Sequence, residues 1–120
     1  MSKKTLILGA SPNPERYSYR ATERLILQGH PVLPVGVRKG TIQGTEILTQ
    51  KPLITDVDTV TLYLNPTAQK DWYDYIIGLH PKRIIFNPGT ENPELEQLAL
   101  NNNIQTEQAC TLVLLSTGAY

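Results

Sequence analysis

The sequence predicts an α/β fold, a doubly wound and mostly parallel sheet of five strands with helices on both faces. Short runs of apolar or β-branched residues alternate along the chain with stretches of helical periodicity. The first run, Leu6-Ile7-Leu8, is apolar without polar alternation, as expected for a strand that is covered on both faces. The connections are long enough for crossover helices, and this favours parallel strands.

The pattern predicts strands at residues 5–9, 31–35, 59–64, 83–86 and 104–107, and helices at residues 18–28, 67–79 and 93–100. The third helix has Asn92 as its cap, whereas the first has two candidate starts, at Asn13-Pro14-Glu15 and at Tyr17-Ser18. Residues 36–52 are interpreted as a loop with a short edge strand near Glu46-Ile47-Leu48. Residues 110–115 fit either a strand or a helical turn.

We expect the strand order 3-2-1-4-5. In sheets of this kind a ligand binds beyond the C-terminal ends of the strands, where the strand order reverses. The ligand crevice is then expected between the first and fourth strands, beside the loops at residues 9–17 and 87–91.

Composition narrows the classes of partner. The 120 residues are expected to form one domain, residues 1–120, and eleven basic residues balance eleven acidic ones. This balance argues against a nucleic-acid partner, and no stretch approaches the roughly 20 apolar residues that span a bilayer. A single cysteine excludes an internal disulfide and a multi-cysteine metal site. We therefore expect a cytoplasmic protein without a membrane partner, and whether it binds another protein or itself is left open.

The loop after the first strand has the features of an anion site. Gly9 ends the strand, small turn-forming residues follow, and a helix begins near Ser18. A helix N-terminus presents free backbone N–H groups and a partial positive charge to an anion. A plain turn between strand and helix explains the spacing equally well, but Ser11, Arg16 and Arg20 favour a phosphate.

Two further loops follow strand ends. The second strand is followed by Arg38 and Lys39 with no acidic residue, which suits a ribose phosphate of NADP or coenzyme A (CoA), although a solvated basic loop is equally ordinary. Asn65-Pro66 and Asn87-Pro88-Gly89 follow the third and fourth strands and are either turns that end the strands or ligand contacts.

Other reactive or aromatic side chains favour structural roles. His30 and His80 each precede a proline and a strand, which places them at the edge of the sheet away from the crevice. Cys110 is interpreted as a packed thiol, with a reactive thiol as the alternative. Trp72 and its neighbouring tyrosines have helical spacing and favour packing over base stacking. The sequence predicts no catalytic residue and no metal ligand.

Five stretches together resemble a known family: Leu8-Gly9-Ala10-Ser11-Pro12-Asn13-Pro14-Glu15-Arg16-Tyr17, Pro34-Val35, Thr59-Val60-Thr61-Leu62-Tyr63-Leu64-Asn65-Pro66, Asn87-Pro88-Gly89-Thr90-Glu91-Asn92 and Ala109-Cys110-Thr111-Leu112. The family is that of small single-domain CoA-binding proteins, similar to the N-terminal CoA-binding domain of the succinyl-CoA synthetase α subunit. Many relatives read Pro-Val-Asn-Pro after the second strand, where this chain has Pro34-Val35-Gly36-Val37.

The resemblance implies a Rossmann-like fold that holds the CoA phosphates on its first loop, at Gly9, Ala10, Ser11, Asn13, Arg16, Tyr17 and Ser18. It also implies that the nucleotide or the pantetheine arm is flanked by Asn65, Pro66, Asn87, Pro88 and Gly89. The synthetase's phosphohistidine belongs to a domain that the matched stretches do not include, so its ligase chemistry is not carried over.

We therefore predict a non-catalytic module that binds CoA or acyl-CoA, with Arg38 or Lys39 meeting the 3′-phosphate. One alternative is an NADP-dependent reductase, for which the sequence offers no identifiable proton donor. Another is a degenerate domain of the same fold that serves only protein association.

Overall fold

The computed structural model describes residues 2–120 and shows a five-stranded sheet. Its strands are β1 (Thr5–Leu8), β2 (Val32–Val35), β5 (Thr59–Leu62), β6 (Arg83–Phe86) and β7 (Gln105–Gln108). A separate antiparallel hairpin is formed by β3 (Thr41–Ile42) and β4 (Thr45–Glu46). All neighbouring strands of the main sheet run parallel, so the predicted fold class is confirmed.

Helices cover both faces of the sheet, as predicted. They are α1 (Tyr17–Leu27), α2 (Pro66–Gln69), a 3₁₀ turn (Lys70–Trp72), α3 (Tyr73–Leu79), α4 (Pro93–Asn101) and α5 (Thr111–Thr117). On one face, α3 and α4 pack through Ile76 and Leu95 over the side chain of Leu6. On the other, α1 and α5 pack through Leu25 and Leu115 over Ile7. Residues that point to opposite faces of a strand are therefore both buried, and this explains why apolar and polar residues do not alternate in Leu6-Ile7-Leu8.

The predicted strand order, 3-2-1-4-5, is compatible with the structure once the strands are numbered differently. The sheet runs β2-β1-β5-β6-β7, so β5 lies directly beside β1 and not beyond β2. The position beyond β2 is taken by Leu48, which forms a single parallel bridge with Val35. If this bridge counts as the third strand, β5 is the fourth, and the reversal of strand order lies between β1 and β5. The loop beside Gly9 is consequently the one after β5, and residues 87–91 lie one strand further away.

Residues 36–58 contain more order than the sequence indicates. The hairpin turns at Gln43 and Gly44, which both have positive φ, 48° and 78°, as a two-residue hairpin turn requires. Ile42 and Ile47 are buried with Ile7, so apolar contacts hold the hairpin against the core. The tail at residues 110–115 forms most of α5 and so is helical.

The two histidines lie at the N-terminal edge of the sheet, where the sequence places them. His30 Nδ1 accepts a hydrogen bond of 2.9 Å from the Lys3 backbone N–H, and its ring meets Tyr120 edge-on. His80 ends α3 in the left-handed conformation. Both are therefore remote from the Gly9 end of β1.

Candidate functional site

A pocket of about 490 Å³ lies at the C-terminal ends of β1, β2 and β5. We call it the Gly9 pocket, and we call residues 9–18 the Gly9 loop. Eight of the thirteen predicted site residues line it: Gly9, Ala10, Ser11, Asn13, Arg16, Tyr17, Ser18 and Arg38. The reversal of strand order at this edge leaves the space, as in other doubly wound sheets.

The start of the Gly9 loop is fixed between its neighbours. The N–H groups of Gly9 and Ala10 both donate to the Val35 carbonyl at 2.9 Å. Gly9 has a φ of +98°, and a β-carbon there would lie 2.8 Å from the carbonyl carbon of Tyr63. Glycine is therefore required because the backbone after β5 passes so close.

The end of β2 approaches the same loop from the other side. A β-carbon on Gly36 would lie 2.1 Å from the carbonyl oxygen of Ala10, and one on Gly40 would lie 2.6 Å from the Pro12 side chain. The chain after β2 thus crosses directly over the Gly9 loop. Gly36 has no side chain, and this permits the close approach.

The N-terminus of α1 leaves its backbone donors free. The helix begins at Tyr17, with Arg16 as an extended cap residue whose side chain makes no capping hydrogen bond. The backbone N–H groups of Tyr17, Ser18 and Tyr19 have no acceptor among residues 2–120. Tyr17 and Ser18 line the Gly9 pocket, so two of these donors and the positive end of the helix dipole meet there.

The polar side chains of the loop are used to shape it. Ser11 Oγ accepts from the Asn13 N–H at 3.1 Å, and Asn13 Oδ1 accepts from the Glu15 N–H at 3.0 Å. The Arg16 N–H donates to the Asn13 carbonyl at 3.0 Å. Ser11 and Asn13 hold the turn, so the helix amides stay available to a ligand.

Arg16 and Arg38 supply positive charge at the pocket. Both side chains are exposed, and neither forms an ion pair with an acidic side chain in the described part of the chain. The two guanidinium groups are thus available to phosphate oxygens, which they bind with paired donors. Lys39 does not line this pocket.

The other predicted site residues lie outside the Gly9 pocket. Asn65 Oδ1 accepts from the Ala68 N–H at 2.9 Å and so caps α2, whose first residue is Pro66. Pro88 and Gly89 are exposed in the loop after β6. Gly89 has a φ of +90°, which residues with a side chain rarely adopt, so the turn requires glycine. Space is not the reason, because a β-carbon there would meet no atom within 4 Å.

Asn87 has a structural role. It is 1% exposed, and its Nδ2 donates to Thr61 Oγ1 at 2.7 Å and to the Leu62 carbonyl at 2.8 Å. Its Oδ1 accepts from the Thr111 N–H at 2.9 Å, at the start of α5. These bonds tie β5, β6 and α5 together, so the amide of Asn87 is occupied inside the protein.

Several pocket residues were not assigned to the site from the sequence. They are Val35, Gly36, Val37, Thr49, Tyr63, Leu64 and Trp72. Tyr63 and Leu64 follow β5 directly, and correct placement of β5 beside β1 would have identified them. For Trp72 the sequence predicts packing, because helical spacing alone does not separate a buried ring from one that also borders a pocket.

The Tyr63 hydroxyl is a buried polar group with no hydrogen-bond partner in the described chain. Burial, and then the nearby Cys110, raise its pKa well above the usual value for tyrosine. The hydroxyl therefore stays protonated at neutral pH. Cys110 itself is a free, half-buried thiol at the start of α5.

The free backbone N–H groups at the start of α1 and the exposed side chains of Arg16 and Arg38 suit the site to holding an anion.

Two other features are absent from the described part of the chain. Among residues 2–120, no three His, Cys, Asp or Glu side chains come together as a metal-binding group. Within the same residues, no helix has the length and apolar character needed to cross a membrane.

Comparisons with solved structures show proteins with the same fold. A solved structure described as an uncharacterized protein is 53% identical and superimposes with a TM-score of 0.97, over 100% of this chain and 99% of that one. A Thermus thermophilus protein is 25% identical with a TM-score of 0.86, over 99% and 91% of the two chains. A hypothetical protein from Pyrococcus horikoshii OT3, at 22% identity, shows the same fold with a TM-score of 0.81, over 94% and 82%.

A search of curated proteins finds no match. A family model described as a CoA binding domain matches residues 3–116, which include every strand and nearly every helical residue of the chain. By this match, and by the resemblance of its motifs, the chain belongs to the CoA-binding domain family.

Proposed function

We propose that residues 1–120 act as one non-catalytic module that binds CoA or acyl-CoA. The observation that carries the proposal is the N-terminus of α1, where Tyr17 and Ser18, with unpaired backbone N–H groups, border the Gly9 pocket together with Arg16. Membership of the CoA-binding domain family supports CoA as the source of the anion. The single cysteine, with which no internal disulfide can form, supports a cytoplasmic location.

The pyrophosphate is placed on the Gly9 loop. An anion at an exposed helix N-terminus gains roughly 0.3–1 kcal/mol from the dipole, and more when partly buried. A charge-assisted hydrogen bond from Arg16 adds about 1.5–3 kcal/mol. Arg38 lies on the same pocket after β2 and is placed on the 3′-phosphate of the ribose.

The pantetheine arm is placed along the C-terminal edge of the sheet. From the Gly9 pocket this edge continues past the end of β5, where Asn65 and Pro66 lie, to Pro88 and Gly89 after β6. The side chain of Asn87 is already bonded within the protein, so its part here is to position this edge. No group along the path is assigned to acid–base or nucleophilic chemistry.

Titration calorimetry and thermal unfolding test the proposal with CoA, acetyl-CoA, NADP and NAD. A ligand that binds only the folded protein stabilises it by about 2.7 kcal/mol at a hundred times its Kd. We expect CoA to bind and to raise the melting temperature, whereas NAD does neither. Binding of NADP in preference to CoA would favour a reductase, and no binding of any nucleotide at millimolar concentration would favour a domain that serves protein association.

A further inference from the structure

Two aromatic side chains of the Gly9 pocket, Tyr63 and Trp72, have no part in the proposed phosphate binding, and the hydroxyl of Tyr63 is buried. Trp72 lies on the 3₁₀ turn between α2 and α3, and it lines the pocket together with Leu64 and Val37. Its ring is only partly buried, although it also packs against the core on the α3 side of the sheet. Trp72 is therefore both anchored in the protein and accessible from the pocket.

The Trp72 ring is held in place by its neighbours. It meets the Tyr75 ring edge-on, with 5.5 Å between centroids and 79° between planes. The Tyr75 hydroxyl in turn donates to the Pro52 carbonyl, which fixes that ring against the 36–58 segment. An aromatic ring fixed in this way loses little conformational entropy when a flat group stacks on it.

A cation accompanies the ring. The Lys51 ammonium lies 5.2 Å from the Trp72 ring centroid and donates to the Asp71 carbonyl at 2.7 Å. Lys51 therefore places a positive charge beside the ring, and Arg38 places another in the lining of the pocket. Proteins that bind single-stranded nucleic acids combine aromatic side chains, on which the bases stack, with cations that meet the phosphates.

The lining of the Gly9 pocket includes apolar side chains, besides Trp72, that a flat ligand group can contact. Leu64 and Val37 are aliphatic, and Val37 is 93% exposed. Thr49 also lines the pocket, whereas the side-chain oxygens of Ser11 and Asn13 already accept hydrogen bonds within the Gly9 loop. A flat aromatic group would therefore be recognised mainly through stacking, and the neighbouring Gly9 loop would hold the phosphates attached to it.

We propose that Trp72 stacks on the adenine base of the ligand and so determines selectivity for adenine nucleotides over ligands that carry only phosphate or pantetheine. The inference rests on the proposed CoA function and adds the residue that recognises the nucleotide half of the molecule. The Gly9 loop binds any pyrophosphate, whereas Trp72 distinguishes those that carry a base.

Because Trp72 is the single tryptophan of the chain, its fluorescence reports directly on this contact. Wild-type protein is titrated with CoA, ADP, 4′-phosphopantetheine and inorganic pyrophosphate, and binding is measured in parallel by calorimetry. We expect CoA and ADP to quench the fluorescence at saturation, and phosphopantetheine and pyrophosphate to leave it unchanged.

Two variants of Trp72 form a matched pair. Trp72→Leu keeps an apolar side chain but removes the stacking surface, so the Kd values of CoA and ADP should rise about tenfold, while that of phosphopantetheine stays the same. Trp72→Phe keeps an aromatic ring, and its Kd for CoA should stay within about threefold of wild type. Thermal unfolding of both variants without ligand shows whether the fold is retained.

The possible results separate the two proposals. CoA binding with unchanged fluorescence, or a Trp72→Leu variant that loses CoA and phosphopantetheine equally, would overturn the stacking role and leave the CoA function standing. If the wild-type protein binds no CoA by calorimetry, the CoA function fails, and the role of Trp72 fails with it.

Discussion

Replacement of Arg16 by alanine should weaken ligand binding and, at the same time, stabilise the protein without ligand. Arg16 caps α1 without a side-chain hydrogen bond, so the folded chain loses no contact of that kind in Arg16→Ala. A positive charge at a helix N-terminus is unfavourable by about 0.3–1 kcal/mol, and this cost disappears in the variant. Arg16→Asn should add roughly 1 kcal/mol more, because asparagine is a good cap.

The loss in binding is larger than the gain in stability. The Arg16 side chain is exposed, so its bond to a phosphate belongs at the lower end of the 1.5–3 kcal/mol range for charged hydrogen bonds. About 1.5 kcal/mol corresponds to a Kd for CoA roughly tenfold higher. The salt dependence of binding should also decrease, since one cation no longer meets the ligand.

The assay is titration calorimetry at two salt concentrations, with urea denaturation of the ligand-free protein. Arg24→Ala is the matched control, because it removes the same charge from the last turn of α1 and should leave CoA affinity unchanged. The reasoning would be refuted if Arg16→Ala bound CoA as well as wild type, or if Arg24→Ala weakened binding equally.

Four further outcomes are expected. Gly9→Val should cost more than about 2 kcal/mol of unfolding free energy in urea, because its β-carbon would lie 2.8 Å from the Tyr63 carbonyl carbon. Asn87→Ala should cost about 2–3 kcal/mol in the same assay, since buried groups lose their partners. Arg38→Ala should weaken CoA about tenfold but spare dephospho-CoA, measured by calorimetry. Burial and a neighbouring lysine lower the pKa of His30 below its usual 6.5. The unfolded chain then binds a proton more readily, so stability should fall as the pH drops below about 6.5. His30→Gln should remove this dependence and leave CoA affinity unchanged.

Each of these expectations has a contrary result. A Gly9→Val protein of normal stability would contradict the close approach of the β5 end, and a stable Asn87→Ala protein would contradict the buried role of that amide. Equal weakening of CoA and dephospho-CoA in Arg38→Ala would remove the residue from the 3′-phosphate. A His30→Gln protein with the wild-type pH profile would assign the titration to another group.

The elements of the fold were predictable because local signals specify them. The strands are covered on both faces and so lack alternation, and Asn92 caps α4 as predicted, with Oδ1 accepting from the Glu94 and Leu95 N–H groups. The order of the strands in the sheet was harder to predict, because no local sequence signal shows on which side of β1 a later strand lies. Leu48 contributes only one bridge beside β2, which is too little for a periodic pattern.

The same distinction explains which residues of the Gly9 pocket could be predicted from the sequence. The Gly9 loop is a continuous stretch between a strand and a helix, so its lining residues are readable from the sequence. Trp72 and Tyr63 reach the pocket only because β5 lies beside β1. This neighbour relation is a property of the tertiary structure, which local sequence patterns do not specify. Asn87 resembles a ligand contact in sequence, yet its position between β5 and α5 turns its amide inward.

The crossing of Gly36 over Ala10, with the two amides bonded to Val35, has a consequence for how a ligand binds. The Gly9 loop is already locked before any ligand arrives, so little backbone entropy is lost on association, and no slow ordering step precedes it. Free and bound backbones should then differ by less than about 1 Å, and association should proceed at a rate set by diffusion and docking. A locked backbone also limits how ligand preference can change, because substitutions at the crossing glycines break the loop. New preferences must instead arise in the side chains around it, among which Arg16 and Arg38 are exposed and make no ion pair in the described part of the chain.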